Sequence, residues 1–175
     1  MGMIIEFLKA EKIEYKTITL KDIVFDESLS RYCKTNQCGL YNSTWICSSE
    51  CKEYFNLERI YRRDKVIFFS KFYQLRDSFD YEKMVEAKAD FEKLLRKIIK
   101  IKTKDEMVFG PGGCTLCKEC TYPHSDCRFP NLVIYPVEKM DIHVSATASK
   151  NGLKYNNGPN TVTYFSLIFL GENDD

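Results

Sequence analysis

The sequence predicts a mixed α/β (α+β) domain: one sheet of four strands covered mainly by helices, with two cysteine-rich loops at its edge or end. Three observations carry this. Apolar residues recur at helical spacing from Tyr81 to Lys100. Short runs rich in β-branched and aromatic residues are interleaved with helical segments. And all eight cysteines fall into two groups of four, some sixty residues apart.

The elements follow in order. "IIEFLKAEKI" (4–13) reads as a short helix and "EYKTITL" (14–20) alternates as a strand. Asp26 can cap a helix over "ESLSRYC", which delivers Cys33 at its end. Ser48 and Ser49 are candidate N-caps for a helix over "ECKEYFNLERIYR". "KVIFFSKFYQL" (65–75) is the clearest strand. From Asp80 a long helix follows, with Met84, Ala87, Phe91, Leu94, Leu95 and Ile98 on one core-facing stripe. "EMVFG" (106–110) is a short strand whose turn "GPGG" leads into Cys114. "PVEKM" and "IHVSATASKN" read as helical, with Gly152 as a stop. "TVTYFSLIFL" (161–170) is a buried strand, and the acidic "GENDD" tail is expected to fray.

The length of 175 residues suits one domain, residues 1–175, which can bury about 70% of its unfolded surface without staples. A net charge of +1 supplies no field for nucleic acid or an anionic membrane. The basic run in "KLLRKIIKIK" has helical periodicity and reads as a solvated helix face. The opening "MGMIIEFLKAEK" offers neither a membrane span nor a signal peptide. Glu6 stands where a myristoylation site wants Ser or Thr, and "NST" at 42–44 is a glycosylation sequon by spelling only. A cytoplasmic location is the expectation. There thiols stay reduced, and a cysteine framework reads as metal-binding or catalytic rather than disulfide-bonded. No P-loop, dinucleotide fingerprint or nucleophile elbow is present in the sequence.

The second group, Cys114-x2-Cys117-x2-Cys120-x6-Cys127, has the spacing with which ferredoxins wrap three corners of a [4Fe–4S] cube. Two-residue spacers let the chain curl around one centre with each thiolate pointing inward. The match is partial, because Pro130 is displaced from the position directly after the fourth cysteine. Zinc is the alternative. Structural four-cysteine zinc sites join two pairs of ligands across a longer gap, and three thiols at successive x2 intervals suit a cube better. With only two histidines, mixed Cys/His sites have little to draw on.

The first group, Cys33-x4-Cys38-x8-Cys47-x3-Cys51, is looser. Cys47 and Cys51 fall at or inside a predicted helix start, which favours a thiolate. Tyr41 and Trp45 could shield a cluster or simply pack in the core. One or two centres fit, with ligands exchanged between groups or not. His124 reads as a loop residue or an accessory ligand, and His143 as structural. Arg128 reads as compensation for thiolate charge or as a surface ion pair.

"CKTNQCGLYNSTWIC" followed by "GGCTLCKEC…CRFP" resembles the DUF2284 family of predicted metal-binding proteins. Cys33, Cys38, Tyr41, Trp45 and Cys47 match its first half; Gly113, Cys114, Cys117, Cys120, Cys127, Arg128 and Pro130 match its second. The family usually has Cys-Pro-Pro where this chain has Cys47-Ser48-Ser49, so the resemblance does not reach Cys51. It implies metal binding and supplies no reaction. The expectation is that all eight cysteines are ligands, with Cys51 closing the first centre. Three functional classes fit: an iron–sulfur protein serving a redox partner, a cluster enzyme acting on a sulfur-containing or other small substrate at an open iron, and a zinc-stabilised interaction module.

Overall fold

The structure is a computed structural model and describes residues 2–171. Strands β1 (Tyr15–Ile18), β2 (Val66–Gln74), β3 (Met107–Gly110), β4 (Tyr135–Pro136) and β5 (Thr161–Phe169) build one sheet. Its order is β1-β2-β5-β3-β4, antiparallel throughout except for the β3–β4 pair. The fold class is the predicted one, with five strands rather than four. β4 is only two residues long and includes a proline, too short for any alternation to register in the sequence.

Period-two alternation sorts the sheet into two faces. Ile67 and Phe69 of β2, Val108 of β3 and Ile168 of β5 meet the helices α1 (Gly2–Ala10) and α4 (Tyr81–Ile101). Of the stripe predicted on α4, Ala87, Phe91, Leu94, Leu95 and Ile98 are buried and Met84 is half-buried, and Ile99 joins them. Asp80 caps it, its carboxylate accepting the Lys83 N–H. Residues one step along each strand, Val66, Phe68, Met107, Phe109, Leu167 and Phe169, point to the opposite face. Four fully buried phenylalanines of the sheet, Phe68, Phe69, Phe109 and Phe169, and Phe91 of α4 each contribute about 1.5–3 kcal/mol of transfer free energy.

That opposite face carries the cysteines. Its cover is made of short pieces: α3 (Cys51–Tyr54), α5 (Val144–Lys150), and single 3-10 turns at Trp45–Cys47, Leu57–Arg62 and Val137–Met140. Trp45, Ile46, Cys51, Leu57, Val137 and Met140 pack there against the sheet. The cysteine segments thus lie over a face of the sheet more than at its edge. Cys33 sits on α2 (Ser28–Lys34), as predicted, and the Asp26 carboxylate accepts the Ser28 N–H at 2.9 Å.

The helix predicted over 50–62 is broken. Asn56 takes a left-handed conformation (φ 49°) between α3 and the following 3-10 turn. Nor do the serines cap α3. The buried Ser48 hydroxyl donates back to the Trp45 carbonyl at 2.8 Å, and Ser49 gives its N–H to the Asn42 carboxamide. The tail predicted to fray falls, beyond Gly171, outside the described residues. No helix among the described residues is long and apolar enough to cross a membrane.

Candidate metal centres

The second group starts where β3 ends. A Cβ on Gly110 would lie 2.7 Å from Leu95 Cδ1, so any larger residue would have to push the Leu95 side chain of α4 aside. Gly113 takes φ +98°, open to glycine alone at low cost, and turns the chain into Cys114. Cys114, Cys117, Cys120 and Cys127 are all half-buried free thiols. They line one cavity of about 220 Å³ together with Thr44 and Trp45. One water occupies about 30 Å³ of liquid, so the space exceeds what a single ion needs. Among the described residues no group of three or more His, Cys, Asp or Glu is arranged to hold a metal ion. The four cysteines border one shared cavity.

Trp45 lines this cavity and is backed by two further aromatic side chains. Trp45 stacks on Tyr54 with ring centroids 3.8 Å apart and meets Tyr122 edge-on at 5.0 Å. The Trp45 indole N–H donates to the Ser125 carbonyl at 3.0 Å. Tyr54 OH accepts the Cys127 N–H at 2.9 Å and donates to Asp126 at 3.2 Å. Residues from the first segment therefore hold the second loop in place. Arg128 pins the same loop by donating to the Glu119 carbonyl at 2.8 Å, and its charge opposes the rise in the Cys127 thiol caused mainly by burial. Burial likewise pushes Cys114 up, with Cys120 and Cys127 adding to it. The Thr44 hydroxyl, in the wall of this cavity, is buried with no hydrogen-bond partner within the protein.

The first group is assembled from four separate places. Cys33 ends α2, Cys38 lies on the exposed loop beyond it, Cys47 closes a 3-10 turn and Cys51 opens α3. Asn36 and Asn42 both adopt positive φ, and their carboxamides accept the N–H groups of Tyr41 and Ser49. Cys33, Cys38 and Cys47 line a cleft of about 360 Å³ with Tyr41 and Lys139. Cys51 is fully buried and does not line it. Burial pushes the Cys51 thiol up to about 12, and Cys33 rises for the same reason.

Two residues the sequence reading missed organise this region. Lys139 is only 7% exposed, and its ammonium donates to the carbonyls of Cys47 (3.2 Å) and Ser48 (2.9 Å). It also lies 5.6 Å from the Tyr41 ring centroid and pulls the Cys33 and Cys51 thiols back down. Asp141 accepts the Ser30 N–H of α2 at 2.9 Å and the Lys52 ammonium of α3 at 3.2 Å, tying the two cysteine-bearing helices together. Neither lies within a cysteine motif, and a lone Lys or Asp in a mixed stretch gives no signal. His143 N-caps α5 by accepting the Ala146 N–H, the structural role expected of it, and His124 is exposed on the loop surface.

The family model for DUF2284, described as a predicted metal-binding protein, matches residues 16–170. The chain belongs to this family. The match spans both cysteine groups, every strand but the start of β1, and the whole aromatic wall between the groups. No curated protein and no solved structure matches the chain.

Proposed function

We propose that this DUF2284 member is an iron–sulfur protein in which Cys114, Cys117, Cys120 and Cys127 hold a [4Fe–4S]-type cluster. The observation that carries the reading is the cavity of about 220 Å³ lined by all four cysteines. Their Cys-x2-Cys-x2-Cys spacing suits a cube. A zinc ion would draw four sulfurs to about 2.3 Å of one point. The unpartnered Thr44 hydroxyl fits too, since a sulfide or thiolate at the wall would accept a hydrogen bond from it.

The cluster supplies one-electron chemistry, and the chain's own residues prepare its surroundings. Trp45, held by Tyr54 and Tyr122, covers one side. The Cys127 backbone is fixed by Tyr54, and Arg128 offsets thiolate charge. Cys33, Cys38 and Cys47 hold a second centre beside Lys139, whose buried ammonium favours negative charge there. The protein passes electrons to or from a redox partner in a compartment where thiols stay reduced, the cytoplasm.

The test is anaerobic purification with absorption spectroscopy and metal analysis. The expected product is brown and contains iron and acid-labile sulfide. A colourless protein that stays iron-free after anaerobic reconstitution, yet holds stoichiometric zinc, would replace this reading with the zinc-stabilised module.

A further inference from the structure

A further cleft, of about 370 Å³, runs between α4 and the two cysteine segments. Cys47 and Cys114 only border it, and most of its wall comes from elsewhere. On α4, Val85, Lys88, Ala89 and Glu92 recur at i, i+3, i+4 and i+7, a second stripe beside the one that enters the core. Leu40, Gly112 and Gly113 line the same space, and the buried Phe91, Leu95 and Ile134 form its floor. We propose that this cleft binds a short aliphatic monocarboxylate, its head on Lys88 and the main chain at Gly112 and Gly113, its carbon chain on the apolar floor. Binding needs no metal.

The donors in the lining lack acceptors. Lys88 makes no hydrogen bond or ion pair among the described residues, and its charge reaches the Glu138 carboxyl only as a longer-range attraction. The N–H groups of Gly112 and Gly113 likewise have no partner among the described residues. Without side chains, the two glycines leave the main chain open to close approach by a ligand. The one carboxylate in the lining is already engaged. Glu92 accepts from the Arg96 guanidinium at 3.1 Å and from the Thr115 hydroxyl. An anion is therefore the head group this wall receives, through one charge-assisted bond and two main-chain donors.

The remaining surface asks for a carbon chain. Phe91 and Leu95 are fully buried as residues yet reach the cleft, and Val85 is 50% exposed on a helix whose other apolar residues mostly face the core. A ligand lying along them removes that surface from water. The volume falls within the range of roughly 300–1,000 Å³ that small-molecule sites occupy. A bare inorganic anion would use the head position and leave the floor wet.

The experiment is equilibrium dialysis of the full, anaerobically purified chain against radiolabelled hexanoate. The expected result is saturable binding of one hexanoate per chain. Unlabelled butanoate and acetate should compete progressively less well, by up to roughly fourfold for each methylene removed. Hexylamine and inorganic phosphate should not compete. Lys88→Met should raise the hexanoate Kd roughly tenfold, as the loss of one charge-assisted bond requires. Ala89→Phe, which fills the cleft from an exposed position of α4, should abolish binding with the circular dichroism spectrum unchanged. Absence of saturable binding at millimolar hexanoate would overturn the proposal. So would competition by hexylamine, equal competition by acetate and hexanoate, or displacement by phosphate, which would mark a general anion site. Unchanged affinity in Lys88→Met would overturn the placement of the carboxylate. If Ala89→Phe does not fold, Lys88→Met and the chain-length series decide the matter.

Discussion

The two cysteine groups have equal numbers of thiols and opposite constructions. The second is one loop of fourteen residues, from Cys114 to Cys127, and its four thiols share one degree of burial and one cavity. The first is spread over a helix end, an open loop, a 3-10 turn and a second helix, with exposure graded from Cys38 on the surface to Cys51 in the core. The contrast teaches where a site's geometry comes from. Short spacers let the chain itself set the second site, whereas the first is set by the contacts of Lys139, Asp141 and Trp45 with distant segments.

The strongest way to test this contrast is to remove a ligand from the self-contained loop. Cys117→Ser should cost the whole second centre, with iron falling by about half and the melting temperature by about 5–10 °C, because ligand bonds contribute folding energy. Full retention of metal and melting temperature would mean that Cys117 is only a small buried residue. Next in size is the side chain the two regions share. Trp45→Ala, measured by denaturant unfolding, should destabilise the protein by about 3–5 kcal/mol. It should also speed iron loss from the second centre, although Trp45 lies outside that loop. An effect on stability with unchanged iron retention would separate the aromatic wall from the metal.

A pH series then separates the buried cysteine from the half-buried ones. The folded state holds the Cys51 thiol near 12, above its ordinary value. The stability this contributes is complete below about pH 8.5 and is lost as pH rises through the folded value, on the order of a few kcal/mol. Metal-free wild type should therefore lose melting temperature between about pH 8.5 and 12 more steeply than metal-free Cys51→Ala. Parallel curves would show that Cys51 ionises without opening the core.

Lys139→Met should act on one centre only. Without the ammonium, the reduction potential of the first centre should fall while that of the second stays put, as read by spectroelectrochemical titration. The carbonyls of Cys47 and Ser48 keep the backbone N–H groups of Asn42 and Cys51, so losing the Lys139 donor adds a stability cost of only about 1–3 kcal/mol. Equal shifts at both potentials would argue for a general unfolding effect.

The smallest effect belongs to a control remote from both groups. Arg76 donates three hydrogen bonds to Asp80, two from its guanidinium and one from its backbone N–H, which hold that carboxyl well below the usual range. Its stabilisation is present above about pH 4 and fades as pH falls below that. Asp80→Asn should lower the melting temperature modestly at pH 7, less near pH 3, and equally with and without metal. A metal-dependent difference would mean that the helical face and the cysteine face do not act independently.

The sequence by itself determined what local chemistry dictates. The stripe on α4, the strands at Val66–Gln74 and Thr161–Phe169 and the cap at Asp80 follow from periodicity and short-range hydrogen bonding, which act over a few residues. So does the second cysteine loop, whose ligand spacing is itself short. The tertiary structure alone decided the rest. β4 exists only because β3 offers Tyr135–Pro136 a partner, and the helix predicted over 50–62 breaks at Asn56, where φ turns positive. The exposure of each first-group cysteine, the burial of Lys139 and the ties made by Asp141 depend on segments about 90 to 110 residues apart in sequence. Loop closure over such spans is specified by the packing of the whole sheet face, which no window of the sequence contains.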